Sequence, residues 1–333
     1  MKKIILSAFA ISALTLVSCN TDFERDVNNM TVSTGKADFS KFVSVGNSLT
    51  SGFRDGALYL DGQNESFPSM IAKQMGLAGG TQTFTQPLMP NNVGGFKDLF
   101  AASGNTEFYG KLTLSPTLSP TPSAPGANLD VIGGTGKYFN NMGVPGAKSF
   151  HLVTPGYGSA ANLATGKANP YFVRFATSAT TTVLADAAAQ KPSFYTLWIG
   201  NNDVLSYATS GGSGVDQKGN LDPSTYGSND ISDPNVVANV IKTVITSLKT
   251  ANANSKGAIA NIPYVTSIPY FTTVPATPIA GLTATQVSQL NAAYATYNGG
   301  LLTLKNLGAI TTAEYNARLI KFSENGVNGA VIV

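Results

Sequence analysis

Short apolar runs alternate with segments of helical period along this chain, and that alternation restricts the fold more than any other feature. Phe42, Val43 and Val45 make an apolar run closed by Gly46, Phe194 to Ile199 a second, and the stretch "GAIANIPYV" (257–265) a third. Between and around them lie helical patterns. "SFPSMIAKQMG" (66–76) carries Phe67, Met70, Ile71 and Met75 at helical spacing and stops at Gly76. The Ala-rich stretch 174–191 reads as one helix. In "SDPNVVANVIKTVITSLKTANANS", Asp233 is the expected cap and Pro234 sits in the first turn. There Val236, Val237, Val240, Ile241, Val244, Ile245 and Leu248 recur at spacings of three, four and seven. A last helix is expected over 282–308, interrupted at Gly299-Gly300. Strand, helix, strand, helix, strand predicts an α/β fold with a mainly parallel sheet and helices on both faces. Ligands of such sheets bind beyond the carboxyl ends of the strands.

The first twenty residues describe export. Lys2 and Lys3 precede an apolar stretch from Ile4 to Val17, too short for a stable span, and the stretch ends in Leu16-Val17-Ser18-Cys19. Charged residues are 12% of the chain, about half the usual share, which fits an extracytoplasmic surface of Ser, Thr, Asn and Gly. A net charge of +3 with no run of Lys and Arg argues against a nucleic-acid partner. The Leu-Val-Ser-Cys end resembles the lipobox of bacterial lipoproteins. The resemblance implies that residues 1–18 are a signal peptide and that Cys19, the chain's single cysteine, is acylated and becomes the mature N-terminus. The membrane is then a partner through Cys19, and the location is the bacterial cell envelope, the outer membrane in lipoproteins of Bacteroidota type. Residues 19–38 are polar and aperiodic and read as a tether. Its Asp22, Glu24 and Asp26 resemble the acidic residues that accompany export to the cell surface in that group. The folded domain is expected over 39–333.

From 77 to 137 the sequence loses its period. "KLTLSPTLSPTPSAPGANLD" is rich in Ser, Thr and Pro and is expected not to pack densely. The whole of 77–137 reads as an inserted surface excursion, a lid or rim to the site. "GGTGKY" (133–138) lacks the spacing of a phosphate-binding loop and reads as a turn.

Ser48 follows directly on the first apolar run, in "KFVSVGNSLTSGFRDG" (41–56). A serine at that place has two readings. It can cap the helix that follows, because its hydroxyl satisfies a helix-start N–H. It can also be a nucleophile, which requires a base and donors for an oxyanion. Asn202 stands at the end of the second run in "LWIGNND", where Asn-Asp is also ordinary turn chemistry. Gly146 lies in "NNMGVPGAKS", where a glycine allows close backbone approach or is simply part of a loop.

Taken in order, "VSVGNSLTSG", "NNMGVPGAKS" and "LWIGNND" resemble the sequence blocks of the SGNH (GDSL) hydrolases. The resemblance runs from about Phe42 to Ile262 and implies a flavodoxin-like three-layer α/β/α fold and an esterase or lipase. It places the nucleophile on Ser48, with the Ser48 N–H, the Gly146 N–H and the Asn202 side chain as oxyanion donors. It implies no cofactor; one histidine and one cysteine make no metal-ligand cluster. The substrate class it implies is a carboxylic ester, on a small molecule, a lipid or an acylated glycan. Two departures stand out. Asn47 occupies the position where the family most often has Asp, and the late Asp-x-x-His block that supplies the family's base is absent. The only histidine, His151 in "KSFHLV", sits among apolar neighbours and reads as structural. The chain ends on the apolar run of "KFSENGVNGAVIV", which reads as the middle of a strand, so the domain is expected to be C-terminally incomplete, with Asp-x-x-His beyond Val333. The alternative is a base-less lipoprotein of this fold that binds glycan or lipid without cleaving it.

Two outcomes are expected. Radiolabelled palmitate is incorporated in the bacterial host and is lost in Cys19→Ser. Coding DNA read past Val333 continues in frame into an Asp-x-x-His block.

Overall fold

The computed structural model describes residues 32–80, 83–272 and 281–324. The leader, Cys19, most of the tether and the terminal run 325–333 lie outside the described residues. The chain divides into two compact units, Met1–Ile262 and Pro263–Val333.

Among the described residues the first unit contains six strands: β1 (Phe42–Gly46), β2 (Leu112–Leu114), β3 (Pro120–Pro122), β4 (Asn141–Gly143), β5 (Phe194–Trp198) and β6 (Lys256–Ile259). Its α-helices are α1 (Ser48–Ser51), α2 (Leu60–Asn64), α3 (Phe67–Leu77), α4 (Lys97–Ser103), α5 (Pro170–Phe175), α6 (Val183–Ala189), α7 (Asn202–Thr209) and α8 (Pro234–Ala251). Four strands form one all-parallel sheet in the order β4-β1-β5-β6; β2 and β3 form a separate antiparallel hairpin.

Helices cover both faces of the parallel sheet, as the alternation of the sequence requires. Side chains of a strand point alternately to its two faces, and every residue of β1 is buried. Val43 and Val45, with Tyr195 and Leu197 of β5, meet α6 and the buried stripe Val236, Val240, Val244 and Leu248 of α8. Phe42 and Phe194 point the other way and pack with Ile71, Ala72 and Met75 of α3. Each fully buried aliphatic side chain contributes about 1.5–3 kcal/mol. Asp233 caps α8 as expected, its carboxylate accepting from the N–H groups of Asn235 and Val236, with Pro234 in the first turn.

The expected helix over 174–191 is two helices. α5 ends at Phe175, and α6 starts at Val183 with Thr182 as its cap. The hydroxyls between them are the cause. Asp186 accepts from the Thr177 N–H (3.0 Å), the Thr177 hydroxyl (2.5 Å) and the Thr181 hydroxyl (2.6 Å), bonds that replace helical ones.

The 77–137 excursion also departs from expectation, because parts of it pack. Met89 and Phe96 are buried against Leu58 and Tyr171. The anchor is Arg174, whose side chain is 1% exposed. Its guanidinium donates to Asp130 (2.6 and 3.2 Å) and to the carbonyls of Pro87 and Leu88 (both 2.9 Å). Gln63 reinforces this, donating to Pro87 O (3.0 Å) and accepting from Met89 N–H (2.6 Å). The Ser/Thr/Pro-rich middle, where β2 and β3 form, has both strands exposed, with Leu112 and Leu114 of β2 left in solvent. The "GGTGKY" stretch is a turn, closed by Lys137 N–H to Gly134 O at 3.0 Å.

The second unit holds α9 (Pro269–Thr272), α10 (Ala284–Ala293), α11 (Ala295–Asn306) and α12 (Thr312–Arg318). The break falls at Tyr294 and not at Gly299-Gly300, which lie inside α11. Glycine costs a helix about 1 kcal/mol and does not by itself end one. Asn298 and Asn291 clasp the backbone of Ile320 and Phe322, each amide both donating and accepting (2.7–3.1 Å).

Arg174→Leu removes the donors to Asp130, Pro87 O and Leu88 O, and is expected to destabilise the protein by ~3 kcal/mol. Urea unfolding measures the loss, and limited proteolysis should cut first between 87 and 134.

Candidate active site

The parallel register brings three loops to one edge. Gly46 at the end of β1 pairs with Gly143 at the end of β4 and with Trp198 at the end of β5. The chain therefore leaves three neighbouring strands side by side, and Ser48, Gly146 and Asn202 follow within a few residues. Two glycines make the crowding tolerable. A Cβ on Gly46 would lie 2.1 Å from the Thr50 hydroxyl and 2.4 Å from the Trp198 carbonyl oxygen, and one on Gly143 would lie 2.3 Å from the Ser51 nitrogen.

Ser48 is not the cap of α1. That role belongs to Asn47, whose Oδ1 accepts from the Leu49 N–H at 3.1 Å. Ser48 is the first helical residue and is half-buried. Among the described residues nothing hydrogen-bonds its hydroxyl or its N–H; its carbonyl accepts from the Ser51 hydroxyl (2.9 Å) and the Phe53 N–H (3.0 Å). Asn47 is fully buried and also donates through Nδ2 to Asn201 Oδ1 at 3.4 Å. A carboxylate there could accept from Leu49 but could not donate to Asn201. The amide at 47 thus matches the amide at 201 and ties the β1 loop to the β5 loop.

Gly146 sits third in the turn Val144-Pro145-Gly146-Ala147. The turn is closed by Ala147 N–H to Val144 O at 3.1 Å, and Gly146 has φ +76°. Proline second and a left-handed glycine third is the pattern of a type II turn. Gly146 is exposed, and its N–H has no acceptor among the described residues. Asn169 holds the turn from behind, its Nδ2 donating to Pro145 O at 2.8 Å. Asn202 opens α7, and its Nδ2 donates to Ala147 O at 2.9 Å. That bond uses one of two amide hydrogens and leaves the other free to act.

Buried charge fixes the ground beneath the turn. Asp203 is buried and accepts from the Ser149 N–H (2.7 Å) and the Ser149 hydroxyl (2.8 Å). Burial pushes its carboxyl above the usual range, against the pull of those donors. Lys148 is buried too, donating to Asp230 O at 2.7 Å; burial lowers its ammonium, and the charges of Asp203 and Asp230 oppose that.

His151 is committed elsewhere. Its Nδ1 accepts from the Lys148 N–H at 3.0 Å, at the head of a 3-10 turn over Ser149–Val153. The ring stacks on Tyr157 with centroids 4.4 Å apart. Burial first, and then the Lys148 charge, lowers its pKa to about 4, so the imidazole is neutral at neutral pH.

The sequence singles out Ser48, Gly146 and Asn202 but not the residues that hold their loops. The Asn47–Asn201 and Asn169–Pro145 contacts join loops far apart in the chain, and no spacing announces them. Asn169 before Pro170 is visible as a cap for α5, and it does accept from the Tyr171 N–H at 3.0 Å; its hold on Pro145 is not visible. No family model, no curated protein and no solved structure matches this chain.

The imidazole sets a pH dependence. Its folded pKa of about 4 lies below the unfolded value near 6.5, so the unfolded state binds the proton first. Its contribution is intact above about 6.5 and is lost as the pH falls to about 4, by ~3 kcal/mol in all. Melting temperatures of wild type and His151→Gln should converge as the pH falls through this window. Parallel curves would refute the assignment.

Proposed function

We propose that this protein is a membrane-anchored, extracytoplasmic serine esterase. The observation that carries the reading is the Ser48 hydroxyl, half-buried at the carboxyl edge of the sheet and without a partner among the described residues, with the Gly146 N–H, likewise without an acceptor among them, on the neighbouring strand's loop. In the proposed reaction Ser48 Oγ bonds to the carbonyl carbon of an ester and gives its proton to a general base. The carbonyl π bond opens onto oxygen, and that oxyanion is received by the N–H groups of Ser48 and Gly146 and by the free amide hydrogen of Asn202. Collapse expels the alcohol, which regains the proton, and leaves an acyl-serine. Water then repeats the attack and releases the acid. Each preorganised donor is worth roughly 3–4 kcal/mol at this stage. The substrate class is a carboxylic ester of a lipid or an acylated glycan, and Cys19 is the lipid anchor.

The base is not assigned to His151, whose Nδ1 is engaged with Lys148 N–H. On this reading the proton acceptor comes from outside the described residues. The same observation favours a second reading, a lipoprotein that holds an ester or glycan at this edge without cleaving it.

A fluorophosphonate probe separates the two. The esterase reading expects labelling of the full-length protein on Ser48, absent in Ser48→Ala, and hydrolysis of p-nitrophenyl esters reduced about 10²–10³-fold in kcat by Asn202→Ala. A folded wild-type protein that takes up no probe leaves the binding reading standing.

A further inference from the structure

The edge of the sheet opposite the candidate site is basic. Parallel strands all begin at one edge, and lysines gather there. Lys41 immediately precedes β1, and its carbonyl accepts from the Ser193 and Phe194 N–H groups (2.9 and 3.1 Å), which sets it beside the start of β5. Lys191 lies in the turn leading into β5. Asn252, just past α8, donates to Pro192 O at 3.1 Å and brings Lys249 of the last helical turn to the same edge. Lys256 opens β6 opposite Phe194, and its ammonium donates to the Lys36 carbonyl. All five side chains are exposed. The acid in this set is Asp38, whose carboxylate is tied to the Ser40 N–H at 2.8 Å.

Next to the lysines, at the C-terminal end of α3, is an apolar hollow of about 550 Å³ lined by Phe39, Met70, Ile71, Met75 and Ala78, with Lys73 and Gln74 at its rim. Met70 is 52% and Leu77 69% exposed. A face that combines several ammonium groups with exposed methionine and leucine matches an anionic lipid surface, where headgroups attract the lysines and the apolar side chains enter the interface.

The chain outside the described residues points the same way. The tether enters the fold at this edge, through Phe39 and Ser40, and the stretch from Cys19 to Val32 reaches at most about 45 Å. We infer that the amino-end face of the sheet, carrying Lys36, Lys41, Lys191, Lys249 and Lys256, docks on an anionic membrane surface. A five-residue strand is about 17 Å long, so Ser48 at the other edge faces away from that membrane. The protein then acts on esters that reach it from the aqueous side and not on the lipids that anchor it. The orientation rests on reading Cys19 as the lipidated residue; the docking face does not.

The test uses the chain from Asn20 onward, which lacks Cys19 and so cannot be acylated there but retains Asp22, Glu24 and Asp26, in sedimentation with vesicles. Phosphatidylcholine vesicles are compared with vesicles containing about 30% phosphatidylglycerol, at low and high salt. The expected result is binding to the anionic vesicles alone, abolished by high salt. Each lysine neutralised should weaken binding about 5-fold, so Lys41→Gln/Lys191→Gln/Lys256→Gln combined should weaken it about 100-fold. Lys97→Gln/Lys167→Gln/Lys218→Gln, placed elsewhere, should bind as wild type. Single variants at Lys41 and Lys191 give the same reading if the triple variant melts early. Equal binding to both vesicle types, no binding, or equal loss in the two triple variants overturns the docking face. Failure of palmitate labelling with vesicle binding intact overturns the anchor alone.

Discussion

The backbone ladder that holds β1 between β4 and β5 is the constraint on which the rest of the first unit depends. β1 is hydrogen-bonded on both sides and buried on both faces. Its residues have no freedom to shift by one position, because a slip would send Val43 and Val45 to the α3 side and Phe42 to the α8 side. The register fixes where each chain leaves the sheet. The three loops that carry Ser48, Gly146 and Asn202 therefore owe their proximity to strand pairing and not to any attraction between those residues.

The polar interior of this protein is built to hold loops still. Arg174 spends its donors on one carboxylate and two carbonyls of the 77–137 excursion, and Gln63 both donates to and accepts from the same stretch. Under the Gly146 turn, Ser149 satisfies the buried Asp203 and the Asp230 carbonyl satisfies the buried Lys148. A buried polar group is costly without a partner and directional with one. These contacts give the turn and the helix starts one geometry each.

The two edges of the sheet differ in chemistry as well as position. The carboxyl edge presents neutral donors and a hydroxyl that have no partner among the described residues; the amino edge presents ammonium groups and apolar side chains. A parallel sheet separates such edges automatically, since every strand start lies at one end and every strand end at the other. Groups that precede β1 and groups that follow it are held apart by the length of a strand.

The sequence by itself determined the α/β alternation, the strand at 42–46, the strand expected over 194–199 and formed over 194–198, and the Asp233-capped helix, because periodicity and capping are local properties of a chain. It misjudged 174–191, where hydroxyls bonding to Asp186 outweighed the helical pull of alanine, and 282–308, where a tyrosine and not a glycine pair marks the break. Tertiary structure alone decided that Asn47 and not Ser48 is the cap, that Asn201 answers Asn47, that Arg174 pins the excursion, and that His151 Nδ1 accepts from Lys148. Each of these joins residues through space at distances no spacing encodes, and which partner a buried polar group finds is settled only when the sheet brings its loops together.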